Sequence, residues 1–131
     1  MDKARNFRNY KVWQDAVEYS YKVYQITDKM PWFEKKGLCD QLQRASVSIS
    51  SNIAEGSAKP SNAEFAHYLD IALGSSYEVE TQLLICVRIN YLSQEQIGNA
   101  LSLCDEVGRM LTKLIVSFQF PDKPLISDSN D

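Results

Sequence analysis

The sequence predicts an all-α protein, an antiparallel up-down four-helix bundle, on three observations. The four prolines, Pro31, Pro60, Pro121 and Pro124, leave long uninterrupted segments between them, and proline breaks helices by removing a backbone donor and clashing with the preceding turn. Two stretches, Ser61-Asn62-Ala63-Glu64 and Ser93-Gln94-Glu95-Gln96, have the form of a capping box, in which a hydroxyl accepts from an orphan N–H and the third residue on reaches back. Between these marks, apolar residues recur every three or four positions, the period of a helix with one face to bury. Helices are therefore expected at about residues 9–28, 34–57, 62–90 and 94–119. Residues 1–120 form one bundle domain, and the polar, acidic stretch 121–131 is expected to be a disordered tail.

The first helix offers Trp13, Ala16 or Val17, Ser20, Val23 or Tyr24, and Thr27 as its buried face. The second offers Leu38, Leu42, Ala45, Ile49 and Asn52 or Ile53. It also carries the run from Ser46 to Gly56, where small and polar residues occupy turn after turn despite modest helix propensity. Such residues permit close helix approach and satisfy hydroxyls on carbonyls one turn back. Ser48, Ser51, Asn52 and Glu55 form a polar face on this helix, available to a partner or to Glu78 and Gln82 of the third helix.

The third helix would be about 43 Å long at 1.5 Å per residue. It carries two apolar stripes, one through Phe65, Leu69, Ala72, Val79, Leu83 and Cys86, the other through Leu73, Tyr77, Leu84, Val87 and Tyr91. One bundle core needs only the first. Left in water, the second would be a contiguous apolar patch, and covering each large side chain contributes roughly 1.5–3 kcal/mol. Homo-oligomerisation through Leu73, Tyr77, Glu80, Leu84, Val87 and Tyr91 is therefore expected, Glu80 placing one charge in the interface. The fourth helix has the clearest seam: Ile97, Ala100, Cys104, Val107, Leu111, Leu114 and Phe118 alternate by three and four.

Composition limits the functions available. Fourteen Lys and Arg against 17 Asp and Glu give a net charge of −3, without the excess of a protein that coats nucleic acid non-specifically. Residues 1–36 nevertheless carry eight basic against five acidic residues. Lys3, Arg5, Arg8 and Lys11, joined by Arg44, are candidate contacts to RNA or DNA, with Tyr10 and Trp13 near enough to stack on a base. Cys39, Cys86 and Cys104 are odd in number and lack C-x-x-C spacing, which points to neither a disulfide framework nor zinc. No signal peptide or membrane-length apolar run is present, so a cytoplasmic location is expected.

Catalysis is not expected, nor any cofactor. Glu64-Phe65-Ala66-His67 matches the E-x-x-H element of carboxylate-bridged di-iron bundles, but such sites need a second element, and His67 is the single histidine. Neither phosphate-cradling glycine motif occurs.

Five stretches carry a resemblance: Val12-Trp13-Gln14-Asp15-Ala16; the run Gln41-Leu42-Gln43-Arg44-Ala45-Ser46-Val47-Ser48-Ile49-Ser50-Ser51-Asn52-Ile53-Ala54-Glu55-Gly56; Glu64-Phe65; Gly74-Ser75; and Glu78-Val79-Glu80-Thr81-Gln82-Leu83. Together, over residues 7–118, the chain resembles the four-helix-bundle protein family associated with 23S ribosomal RNA intervening sequences. That family is similar to the accessory variability determinant of diversity-generating retroelements, which associates with reverse transcriptase and nucleic acid. The resemblance implies an up-down bundle, a homopentamer, and a non-enzymatic scaffold or accessory role around RNA or a protein partner. Gln43 stands where the family often has a second Arg, and Ser50 where it often has Pro; the first reduces a basic face and the second removes an expected kink.

Overall fold

The computed structural model describes residues 5–120. Four α-helices make up the bundle: α1 (Lys11–Thr27), α2 (Leu38–Ser57), α3 (Asn62–Arg88) and α4 (Gln94–Gln119), with short 3-10 turns at Phe7–Asn9 and Trp32–Glu34. Lys3 and the expected tail lie outside the described residues. Among those residues, no helix is long and apolar enough to cross a membrane.

Local chemistry sets the helix ends, and in three places moves them from the expected bounds. The first helix starts at Lys11 because Phe7–Asn9 winds as a 3-10 turn, with the Asn6 side chain accepting from the Arg8 N–H. The second starts at Leu38 because Glu34 sits in the other 3-10 turn and its carboxylate accepts from the Leu38 N–H at 3.1 Å. The third ends at Arg88: Asn90 takes a left-handed conformation at φ 66°, and the Tyr91 and Asn90 N–H groups close on the Cys86 and Val87 carbonyls. That pair of bonds is a Schellman ending with asparagine in the place usually held by glycine. Ser93 and Gln96 complete a reciprocal capping box on α4. Ser61 caps only the Glu64 N–H, and its hydroxyl turns to the Glu64 carboxylate instead.

Cross-helix contacts fix the topology. Ser20 of α1 meets Ser46 of α2, Gln41 of α2 meets Gln82 of α3, and Cys104 of α4 meets Ser76 of α3. Each consecutive pair runs antiparallel, and α4 closes the square against α1. With Ser50 in place of proline, α2 runs unbroken.

The core is the first α3 stripe packed on Leu42, Ala45, Ile49 and Ile53 of α2 and on Ile97 to Leu111 of α4. At its C-terminal end the α4 seam rotates, so that Ile115 is buried whereas Leu114 and Phe118 are half-buried. On α1 the buried face is Val12, Ala16, Tyr19, Val23, Ile26 and Thr27, with Val17 and Tyr24 turned outward.

The hydroxyl of fully buried Tyr19 has the Cys104 thiol, a weak hydrogen-bonding group, as its polar neighbour. That thiol donates to the Ser76 carbonyl at 3.4 Å. Burial pushes the Tyr19 phenol well above its ordinary range. Because a thiol offsets little of the cost of burying a hydroxyl, Tyr19→Phe is expected to raise stability by about 1 kcal/mol. Thermal melting checks this, and a lowered Tm would show that the hydroxyl has a stronger partner in solution.

At Gly56, α2 lies close against α3. A Cβ there would lie 2.6 Å from Tyr68 Cβ and 2.9 Å from Phe65 Cδ1. Alanine is the better helix former by about 1 kcal/mol. Gly56→Ala should nevertheless destabilise by roughly 1–3 kcal/mol, because the helices must part. Urea unfolding reads the difference, and a gain in stability would show the gap to be elastic.

Candidate functional site

The small and polar run on α2 is consumed mainly by packing. Ser46, Ser50 and Ser57 donate to carbonyls three residues back, at 2.9, 3.3 and 2.6 Å. Ser20 of α1 donates to the Ser46 carbonyl at 2.9 Å. The expected polar face divides at the helix boundary. Ser48 and Asn52 turn inward: the Ser48 and Ser75 hydroxyls lie 3.0 Å apart, and Asn52 Nδ2 donates to the Ser48 carbonyl at 2.8 Å. Ser51 and Glu55 point to solvent. Gln82 donates to Gln41 at 3.1 Å and to Glu78 at 3.3 Å, one turn or more from that face. Its Oε1 is buried without a partner.

The basic candidates do not converge. Arg5 donates to the Lys59 carbonyl at 2.6 Å and to Asn62, and lies over the Phe65 ring, so it pins the start of the chain to the α2–α3 turn. Arg8 lies over Phe7, which itself packs edge-on against Trp13 at 5.0 Å. Lys11 pairs with Asp15 at 2.6 Å, and that hydrogen bond holds its amine above its ordinary value. Arg44 pairs with Asp40 at 3.0 Å. It lies fifteen residues before Lys59 on α2 and the turn that follows, a separation of about 22 Å along the axis.

The second apolar stripe of α3 also divides. Leu73, Val87 and Tyr91 pack against the subunit's own core, Leu73 beside Gly108 of α4 and Tyr91, past the end of α3, against Phe33. Tyr77 and Leu84, seven residues apart, remain 56% and 42% exposed. Glu80, on the same flank, is half-buried and has no ion-pair partner among the described residues. Ile71, Ile85 and Ile89 add further exposed apolar surface to α3. The sequence reading passed over them, although they recur at helical spacing as a third row. Glu64 and His67 both lie exposed at the start of α3, and no third His, Cys, Asp or Glu joins them among the described residues. The three cysteines are buried and unpaired, and burial raises the Cys86 thiol to about 11.

These features define an all-α four-helix-bundle protein with an incompletely covered outer helix. The chain belongs to the 23S rRNA-intervening sequence protein family, whose model matches residues 8–113. Among solved structures it is similar to a protein of unknown function from the S23 ribosomal protein family of Bacteroides thetaiotaomicron. The identity is 27% and the TM-score 0.70, over 79% of this chain and 97% of that one. No curated protein matches the chain.

Proposed function

We propose that this chain is a non-enzymatic scaffold or accessory protein of the cytoplasm that works as a homo-oligomer and associates with RNA. The observation that carries the assembly is the outer face of α3, where Tyr77, Leu84, Ile71, Ile85 and Ile89 all remain exposed. Apolar side chains in such number on one helix are stabilised by a second surface. A further copy of the same chain is the simplest one, since closed symmetric rings form from a single repeated contact. A copy number of five rests on the family resemblance. Association with RNA is supported by the name of the family, which ties its members to a 23S rRNA intervening sequence. A module that binds nucleic acid through the N-terminal arm and Arg44 is the weaker reading, because Arg5, Lys11 and Arg44 are engaged within the chain.

Light scattering after gel filtration tests the assembly. A mass near five times 14.9 kDa is expected at micromolar concentration, and a mass of 14.9 kDa would overturn it.

A further inference from the structure

We infer that the groove running from Trp32 to Arg44, between α1, α2 and their connection, binds single-stranded nucleic acid, with an unpaired base stacked on Trp32. The RNA part of the reading above is its premise, while the assembly is not.

The connection reads Lys29-Met30-Pro31-Trp32-Phe33-Glu34-Lys35-Lys36, two adjacent aromatic rings flanked by three lysines. Its one acid, Glu34, is turned onto the α2 backbone, accepting from the Leu38 N–H. Lys29, Lys35 and Lys36 have no ion-pair partner among the described residues. Lys35 borders the site beside Trp32, whereas Lys29 lines a separate depression with Lys22, Gln96 and Asn99. Trp32 is 85% exposed, yet it is braced: Phe33 meets it edge-on at 6.0 Å, and Tyr91 backs Phe33 at 5.9 Å. A large exposed indole held in place by other rings is a stacking platform, since every base presents a π-face.

Below the indole lies a cavity of about 350 Å³ bordered by Lys35, Asp28, Thr27 and Gln43. A second, of about 410 Å³, continues along the helices past Tyr24 and Gln43 to Arg44 and Ser48. Tyr24 and Gln43 stand between the two and border both. Gln43 is held by donation to the Thr27 hydroxyl at 3.0 Å, which leaves its carbonyl oxygen to meet a base edge. Asp28 accepts from exocyclic amines, as carboxylates do. Lys35 stands where a phosphate would pass, Arg44 borders the far end in its pair with Asp40, and Tyr24 offers a second ring. A flat bilayer fits this surface poorly, because the groove is concave. A duplex fits poorly too, because its bases are already stacked.

The test is fluorescence anisotropy with a labelled, unstructured single-stranded RNA of about 12 nucleotides, within the site sizes of such proteins. The same sequence as a duplex, and phosphatidylserine vesicles, serve as comparisons. Expected are preferential binding of the single strand, quenching of tryptophan fluorescence, and affinity that falls with salt. Trp32→Ala should weaken binding roughly ten- to hundredfold, and Trp32→Phe should restore most of it. Lys35→Gln should reduce the salt slope by about 0.7. Circular dichroism and oligomer mass of each variant separate lost binding from lost folding. Undiminished RNA binding by Trp32→Ala would overturn the groove and leave RNA association standing. A wild type that binds no RNA would overturn both. Equal affinity for the duplex, or binding of vesicles in place of RNA, would also overturn the inference.

Discussion

Leu111→Asp is expected to abolish the folded bundle. Leu111 is fully buried at the middle of α4, in the row between Val107 and Ile115. Truncating such a leucine to alanine alone costs about 2–5 kcal/mol, part of it for the cavity left behind. A carboxylate adds a charge with no basic partner in a layer made of the core's apolar side chains, a further penalty of several kcal/mol. Against a total stability of about 5–15 kcal/mol for a domain of this kind, the sum reaches the whole margin. Far-UV circular dichroism should show loss of helix and of any cooperative melt, whereas Leu111→Ala should keep the helix and melt earlier. A cooperative, fully helical Leu111→Asp protein would mean that α4 can turn this position to solvent.

Tyr77→Glu combined with Leu84→Glu is expected to do the reverse: helix content stays and the assembly falls to monomers. Neither side chain is needed by the subunit, since both are largely exposed. If neighbouring copies cover them, losing two large apolar contacts and adding two charges weakens each interface by about 3–6 kcal/mol, roughly a hundred- to ten-thousandfold in dissociation constant. Sedimentation velocity with parallel circular dichroism reads both quantities. An unchanged mass for the double variant would move the interface elsewhere on the surface. Leu73 and Val87 make poor probes of the same question, because they pack against the core of one subunit and a charge there would injure fold and assembly together.

The elements most legible in the sequence are those with sharp local chemistry. Ser93 and Gln96 announce the start of α4, and the row from Ile97 to Leu111 names its buried face, because cap and period are both written within a few residues. The start of α2 was less visible. Glu34 looks like a first-turn residue, but it caps from outside, and only the fold of the connection decides that. Tyr19 escaped for a similar reason: its hydroxyl argues for the surface, whereas the closing of α1 on α4 puts it inside. The α3 stripe divided because period alone does not say how far round a helix its neighbours reach. Leu73 and Tyr77 share a row in the sequence, yet α4 covers one and leaves the other. Least legible was the Trp32 groove. Its parts come from α1, α2 and the loop between them, and no spacing rule joins Tyr24 to Lys35 or Gln43.

The cyclic order of the helices bears on how the chain finds its shape. Three of the four interfaces join helices that follow one another, so they close over short loops at little entropic expense, the regime of rapid folding. The joint between α1 and α4 alone must wait for nearly the full polypeptide to be in place. That is also where the Tyr19 hydroxyl has only a thiol beside it, so the last door to shut carries the weakest latch, and native-state breathing should start there.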